Sequence, residues 1–392
     1  MKRRLKIFHL LLGNEFGGAT VIVKLLSENQ QMEGHDVFVL VNDIPGVKEE
    51  FIKHGIKLVD DKGITGRISP MVDIFHLVYL LRFIAKNNFD IVHTHAVKAG
   101  FIGRCAAWLA GQRCIVHSIH GYGFEEKYKN RTITKSVYVA IEKLLSKSSA
   151  AIIASSRKDF ETALQYGISD TEKLKVVNNG IDLSRFHSSD HPDSRKYFRR
   201  EMGLLDEEIA IGVVARLHKA KGHRYLIDAA SILLKETKSQ IRFILVGDGP
   251  EKEQIQERIS VLGMDKYFIL LGHRRDISWI MQGIDMHLLP SLREGFPTVL
   301  LEVMAAAKPC ITTDVGGCAE AVLDGITGYV IPPGDPVSMV KAMTRLIEDK
   351  ELSTKMGENG YQRLRTKFLH ETMCTNIEDI YLSCLEDKLS LC

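Results

Sequence analysis

Glu294 and Glu302 stand eight positions apart in REGFPTVLLE, with a glycine, an aromatic, a proline and a threonine directly after the first. Carboxylates accept hydrogen bonds from paired hydroxyls, and the free amides of a helix start attract an anion. MHLLPS upstream reads as a strand, which makes SLREGFP the loop at its carboxyl end. Pro297 suits the first turn of a helix, where a missing N–H is harmless. The helix is then expected through TVLLEVMAAA, with free amides at Thr298, Val299 and Leu300. Glu302 falls just past the first turn and Glu294 just before the helix. The arrangement suits a diphosphate with a polyhydroxylated group at each end. Spacing alone leaves an alternative open, in which acids near a helix start merely complement its dipole.

A second stretch, GVVARLHKAKGHRYLIDAA, ends another strand and opens another helix. Arg216 and Lys221 frame the loop between them. Two cations there could neutralise a diphosphate from the side opposite the helix; solvated surface cations are the alternative. His93 and His95 share one strand face because they are two apart. No carboxylate or cysteine accompanies them, so they read as strand-end packing and no metal site is expected.

These loops need elements to hold them. The first half contains the β-rich runs KIFHLLL, DVFVLVN, IKLVD, DIVHTH, RCIVHSIH, AAIIASS and KVVNNGI. The second contains IAIGVVAR, IRFILVGDG, FILLGH, MHLLPS, PCITTDV and GYVIPP. Near-continuous apolar strands alternating with helices indicate parallel sheets covered on both faces. Two such sets predict an α/β chain of two Rossmann-like domains, 1–182 and 183–371, facing across a cleft. A C-terminal helix at 372–392 is expected to complete the first. The seam falls in NNGIDLSRFHSSDHPDS, where apolar periodicity stops.

The 392 residues are 45% hydrophobic and 26% charged, which is ordinary for a globular chain. A net charge of +3 gives no polybasic character that would argue for nucleic acid. The charge is uneven: 25 Lys and Arg face 19 Asp and Glu in 1–182, against 27 and 30 in 183–392. Seven cysteines, at 105, 114, 310, 318, 374, 384 and 392, show no CxxC spacing and read as thiols in a reducing compartment. Met71–Ala85 is too short and too interrupted to span a bilayer. MKRRLKIFHLLL imitates a signal peptide, but it leads into the glycine loop GNEFGG, so a buried strand at Lys6–Leu12 is the better reading.

ARLHKAKG, GDGPEKEQ, SLREGFPTVLLEVMAAAKPCITTDVGGCAEAV and GITGYVIPPGD, in that order, closely resemble the retaining family 4 glycosyltransferases of GT-B architecture. The likeness is strong over about 210–336. It continues more loosely through EFGGAT, DIVHTH, SIHGYGF and NNGIDLSRF. The resemblance implies that Arg216 and Lys221 grip the donor diphosphate and that Glu294 holds hydroxyls of the transferred sugar. The turn and helix start Gly295, Phe296, Pro297, Thr298, Val299 and Leu300 would bind the phosphates through amides. Glu302 would hold the nucleotide ribose. His120 of SIHG would face the sugar, Gly17 and Gly18 would form the loop closing over the donor, and Arg274 of GHRRD would lie near the base. The family retains anomeric configuration. A same-face reaction, in which the leaving phosphate helps deprotonate the acceptor, is the working mechanism, and no cofactor is expected. Many sugar transferases hold a divalent ion with Asp-x-Asp, and this chain contains none.

The resemblance thus implies a hexosyl- or N-acetylhexosaminyl-transferase using a nucleoside-diphosphate sugar; a glycan or lipid-linked acceptor in envelope polysaccharide synthesis is the further expectation, tied to the basic helix described below. A nucleotide-sugar isomerase or epimerase on the same architecture and a silent sugar-nucleotide-binding subunit are the rivals. A dinucleotide oxidoreductase would need G-x-G-x-x-G, which GNEFGG is not. KYKNRTITKSVYVAIEKLLSK reads as an amphipathic helix. Lys127, Arg131, Lys135, Lys143 and Lys147 would form its basic outer face, and Ile133, Val137, Ile141 and Leu145 its inner one. That face is either solvated or touches anionic lipid. The expected location is cytoplasmic, with the lipid alternative placing the chain on the inner face of the membrane.

Overall fold

The computed structural model describes residues 3–13, 17–66, 69–122, 124, 131–187 and 193–389. Lys127, Glu15, Phe16, Cys392 and part of the expected seam lie outside them. The apolar runs form thirteen strands in two parallel sheets, seven in the first half and six in the second, as the α/β reading requires.

The first sheet comprises β1 (Lys6–Leu11), β2 (Asp36–Val41), β3 (Lys57–Leu58), β4 (Ile91–His95), β5 (Ile115–Ile119), β6 (Ala151–Ala154) and β7 (Leu174–Val176), in the order β3-β2-β1-β4-β5-β6-β7. The second comprises β8 (Ile209–Val214), β9 (Ile241–Val246), β10 (Phe268–Gly272), β11 (Met286–Leu289), β12 (Cys310–Thr313) and β13 (Gly328–Ile331), in the order β10-β9-β8-β11-β12-β13. Both are doubly wound. The strand order reverses between β1 and β4 in one and between β8 and β11 in the other. Ligands of such sheets bind beyond the carboxyl ends of the strands at that reversal.

The helices that frame the sites are α1 (Gly18–Met32), α2 (Pro70–Asn87), α3 (Val97–Leu109), α4 (Thr132–Ser148), α5 (His223–Glu236), α6 (Thr298–Ala305) and α7 (His370–Leu389). The chain divides into two compact units, Met1–Gly180 with His370–Cys392, and Ile181–Leu369. The division falls within the expected seam, two residues before the expected bound at 182/183. Met373, Ile377, Tyr381 and Leu385 of α7 are buried against Leu5, Ile7, Ile22 and Ile91, so the end of the chain covers the face of the first sheet. The second unit is filled on both sides of its sheet, by Leu226, Leu233 and Met343 on one and by Ile280, Leu301 and Val303 on the other. The six described cysteines are free thiols. Among the described residues no helix is long and apolar enough to cross a membrane.

Helix α4 differs from expectation. Its buried residues are Val139, Glu142, Leu145 and Ser146. Ile133 is 82% exposed, Val137 52% and Leu144 67%, and Ile141 is exposed as well. The apolar stripe read as the inner face therefore faces outward, with only Leu145 turned in. Lys135 turns inward, donating to the Tyr166 hydroxyl at 2.5 Å with its ammonium over that ring. Period counting finds two stripes on a helix but cannot say which one the fold covers. Here a buried ion pair decides it: Glu142 meets Arg104 of α3 at 2.7 Å, and that contact fixes the rotation of α4.

Candidate active site

At the reversal point of the second sheet, the loop after β8 and the loop after β11 are laced together. Leu292 and Arg293 donate backbone N–H bonds to the Ala220 carbonyl at 2.8 and 3.3 Å. Between Arg216 and Gly222 the chain makes a short turn, capped by His218, whose Nδ1 accepts the Ala220 N–H at 3.1 Å. Gly222 has φ +68°, and a Cβ there would lie 2.0 Å from the Pro290 carbonyl oxygen. The close approach of the two loops thus depends on that glycine.

The lacing brings Lys221 and Glu294 together. Lys221 Nζ lies 2.6 Å from Glu294 Oε1, with side-chain exposures of 18% and 8%. Ser291 Oγ donates to the same oxygen at 2.6 Å, and Thr313 in turn holds the Ser291 carbonyl at 2.5 Å. Both donors converge on Oε1, so the other oxygen, Oε2, has no partner among the described residues. Gly316, at φ +53°, lets the Glu294 carbonyl approach to where its Cβ would be, 2.3 Å away. Gly317 N–H meets the Gly295 carbonyl at 2.5 Å. The β8 loop, the β11 loop and the stretch Thr313–Gly317 thus hold Glu294 between them, the first two by bonds to its carboxylate. Arg216 is half-buried in the same β8 loop and accepts the His218 N–H through its carbonyl at 2.8 Å.

Helix α6 follows at once. Pro297 is its N-cap, one position before the expected first turn, and no side chain caps the helix. The Leu300 N–H bonds Pro297 O at 3.3 Å, whereas the Thr298 and Val299 amides have no partner among the described residues. The expected trio of amides is thus two free and one weakly engaged. Phe296 and Leu300 are core by side chain, Phe296 packing on Phe368 with centroids 5.4 Å apart. Any part they take in binding comes through the backbone. Glu302 is four residues after Thr298, on the same helix face. It is partly buried, and its carboxyl has no hydrogen-bond or ion-pair partner among the described residues. Desolvation pushes its pKa up to about 7.

Arg274 follows β10 and is occupied. It forms a two-pronged pair with Asp276, at 2.8 and 2.6 Å, which raises its pKa further, and its cation approaches Glu201 at 3.7 Å. A guanidinium held this way acts as a strut of its loop.

In the first unit, Gly17 is the extended N-cap of α1, Gly18 is its first residue, and a Cβ at Gly17 would meet nothing within 4 Å. His120 sits at the end of β5, part-buried, with its pKa brought down to about 4 by desolvation. His93 and His95 are buried as expected of strand residues. They are joined by His9 of β1, and ligand atoms of the three lie within 4.8 Å of one another. The sequence reading missed His9 because it lies on a different strand: the β1–β4 register sets it opposite His93.

A family model for "Glycosyl transferases group 1" matches residues 194–363, and one for "Glycosyltransferase Family 4" matches 16–185. The chain belongs to the glycosyltransferases. Among its relatives is an Escherichia coli UDP-Gal:alpha-D-GlcNAc-diphosphoundecaprenol alpha-1,3-galactosyltransferase, 28% identical over 98% of both chains. The Staphylococcus aureus capsular polysaccharide biosynthesis glycosyltransferase CapM is 25% identical over 98% of both. Among solved structures, Anabaena HepE in complex with UDP-glucose superposes with a TM-score of 0.85 at 23% identity, over 97% of this chain and all of that one. The glycosyltransferase therefore has the GT-B fold.

In this glycosyltransferase Gly222 offers a direct structural test. Gly222→Ala forces a left-handed alanine against Pro290 and should cost about 1–3 kcal/mol in denaturant unfolding. Turnover should fall further than stability alone explains, because the Lys221–Glu294 contact is displaced. A variant with native stability and native turnover would show that the loop junction tolerates movement.

Proposed function

We propose that this enzyme is a retaining transferase that moves a sugar from a nucleoside-diphosphate sugar to a glycan or lipid-linked acceptor, without a metal ion. The observation that carries the reading is the Glu302 carboxyl: partly buried, without a partner among the described residues, and one turn along from the Thr298 and Val299 amides, which have none there either. A desolvated acid without a partner is costly unless a ligand supplies donors, and ribose hydroxyls are such donors. The diphosphate then meets the two amides, the helix dipole, Arg216 and Lys221. Glu294 Oε2 remains to accept hydroxyls of the transferred sugar.

Breaking the bond between sugar and diphosphate builds negative charge on the phosphate. Preset cations and amides stabilise that charge most as it grows. A covalent route would need a free carboxylate as nucleophile. Glu294 is a weakened one, since Lys221 and Ser291 draw its charge towards Oε1 and its open Oε2 is the atom assigned here to sugar hydroxyls. This supports the same-face reaction. The charge inventory, with no Asp-x-Asp in the chain, supports the metal-free reading. The E. coli relative, named for a diphosphoundecaprenol-linked acceptor, and the S. aureus relative, named for capsular polysaccharide, support a role in envelope polysaccharide synthesis. A panel of nucleotide sugars, read by thermal shift and by hydrolysis, tests the reading. One nucleotide should stand out, and a flat panel would contradict the account.

We also propose contact with anionic lipid, now through a different face of α4. Ile133, Val137 and Leu144 present apolar surface, flanked by Lys143 and Lys147 at the next positions round the helix. Met71, Ile74 and Phe75 of α2 are exposed too. Lipid burial of one such side chain contributes about 1.5–3 kcal/mol, and each nearby cation about 1 kcal/mol. Ile133→Ser with Leu144→Ser should weaken binding to phosphatidylglycerol vesicles by more than about tenfold, leaving nucleotide binding unchanged. Unmodified protein that ignores such vesicles at low salt would end the proposal.

A further inference from the structure

A line of ring-to-ring hydrogen bonds runs inward from His120. His120 Nε2 lies 3.3 Å from His95 Nδ1. His95 Nε2 lies 3.0 Å from His9 Nδ1, and His9 Nε2 lies 2.8 Å from Gln30 Oε1. His9, His95 and Gln30 are almost wholly buried. Burial holds His9 and His120 at about 4 and His95 well below the ordinary imidazole value. Near neutral pH each ring is therefore uncharged, with one nitrogen that donates and one that accepts.

That constraint sets the direction of the whole line. The Gln30 carbonyl oxygen can only accept, so His9 Nε2 carries the proton. His9 Nδ1 must then accept from His95 Nε2–H, and His95 Nδ1 from His120 Nε2–H. The last atom, His120 Nδ1, is left with a lone pair and no partner among the described residues. We propose that Gln30, His9 and His95 are positioning residues that lock His120 as the Nε2–H tautomer, so that its Nδ1 accepts a hydrogen bond from a hydroxyl of the sugar substrate. The hydroxyl partner rests on the transfer reading above; the locked tautomer does not.

The same rings do not make a metal centre as they stand. His93 Nδ1 is 2.5 Å from the Tyr381 hydroxyl and His93 Nε2 2.8 Å from Ser118 Oγ. All six ring nitrogens of His9, His93 and His95 are thus already engaged, and an ion would have to break the line to find a lone pair.

Long-range 1H–15N correlation spectra of the intact protein, labelled on histidine nitrogens, read the tautomer without any substrate. At neutral pH His120 should appear as Nε2–H; a population dominated by Nδ1–H overturns the proposal. Gln30→Leu removes the terminal acceptor. It should release the tautomer and lower kcat by about tenfold, the value of one hydrogen bond, with nucleoside diphosphate affinity unchanged. Gln30→Glu keeps an acceptor and should keep both the tautomer and the turnover. A folded Gln30→Leu protein with the native tautomer, or with a released tautomer and native kcat, contradicts the assignment. If Gln30→Leu does not fold, Gln30→Glu decides: loss of the Nε2–H form there counts against the line. Absence of sugar transfer with the tautomer intact would fault the transfer reading and leave the line standing.

Discussion

Arg216→Ala and Lys221→Ala are each expected to slow sugar transfer by about a hundredfold to a thousandfold, a loss of about 2–4 kcal/mol of transition-state stabilisation. The loss should fall on kcat more than on donor affinity, because charge on the departing phosphate grows as the bond breaks. The structure separates the two cations. Lys221 also neutralises Glu294 at 2.6 Å, so its removal leaves a nearly buried carboxylate with only Ser291 as donor. Lys221→Ala should therefore be the more damaging, and the double change Lys221→Ala with Glu294→Gln should recover stability but not turnover. Steady-state kinetics on the three variants check this. Near-normal turnover in both single variants would remove the pair from the leaving-group role.

Glu302→Ala should weaken binding of free nucleoside diphosphate by about tenfold to a hundredfold, the range for hydrogen bonds to a charged group. Glu294→Ala should leave that affinity nearly intact while depressing turnover. Equal losses of affinity would mean that the two ends of the donor have been exchanged. The pKa of Glu302, about 7 in the folded chain against an ordinary value of 4.5, adds a pH signature. The folded state binds more protons than the unfolded chain between those values. Its stability therefore declines as pH rises from about 4.5 to 7 and levels off above, by up to about 3 kcal/mol. Glu302→Gln should remove that slope, raising Tm at pH 8 and leaving it unchanged near pH 4.5. Ribose hydroxyls favour the carboxylate, so nucleotide binding should release a proton near neutral pH. Calorimetric titration in buffers of different ionisation enthalpy measures that release, and the Glu302→Gln protein should show none.

Much of this was legible in the sequence because parallel strands buried on both faces announce themselves as apolar runs. All thirteen such runs became strands. Strand-end placement made a pairing of REGFP with ARLHKAKG possible and the family resemblance singled it out; both loops leave the sheet at its reversal point. Other features were not legible. Glu294 and Lys221 are 73 residues apart, and their contact depends on Gly222 passing Pro290, a matter of tertiary approach. His9 became visible as a partner of His95 only once the register of β1 against β4 was known. Arg274 looked available until Asp276, two residues on, was seen to hold it. The outward turn of Ile133 and Val137 was invisible because α4 takes its rotation from the buried Arg104–Glu142 pair, not from its own periodicity.

The central claim is that the loops at the ends of β8 and β11 and the start of α6 meet the whole charge of a sugar nucleotide's diphosphate and transfer its sugar with retention. The most direct measurement follows the reaction by proton NMR in excess chelator, using the nucleotide sugar selected by the panel. The account predicts turnover undiminished by the chelator, with the anomeric signal of the first product in the configuration of the donor. Turnover that appears only when manganese or magnesium is restored, or a first product of inverted configuration, would contradict it.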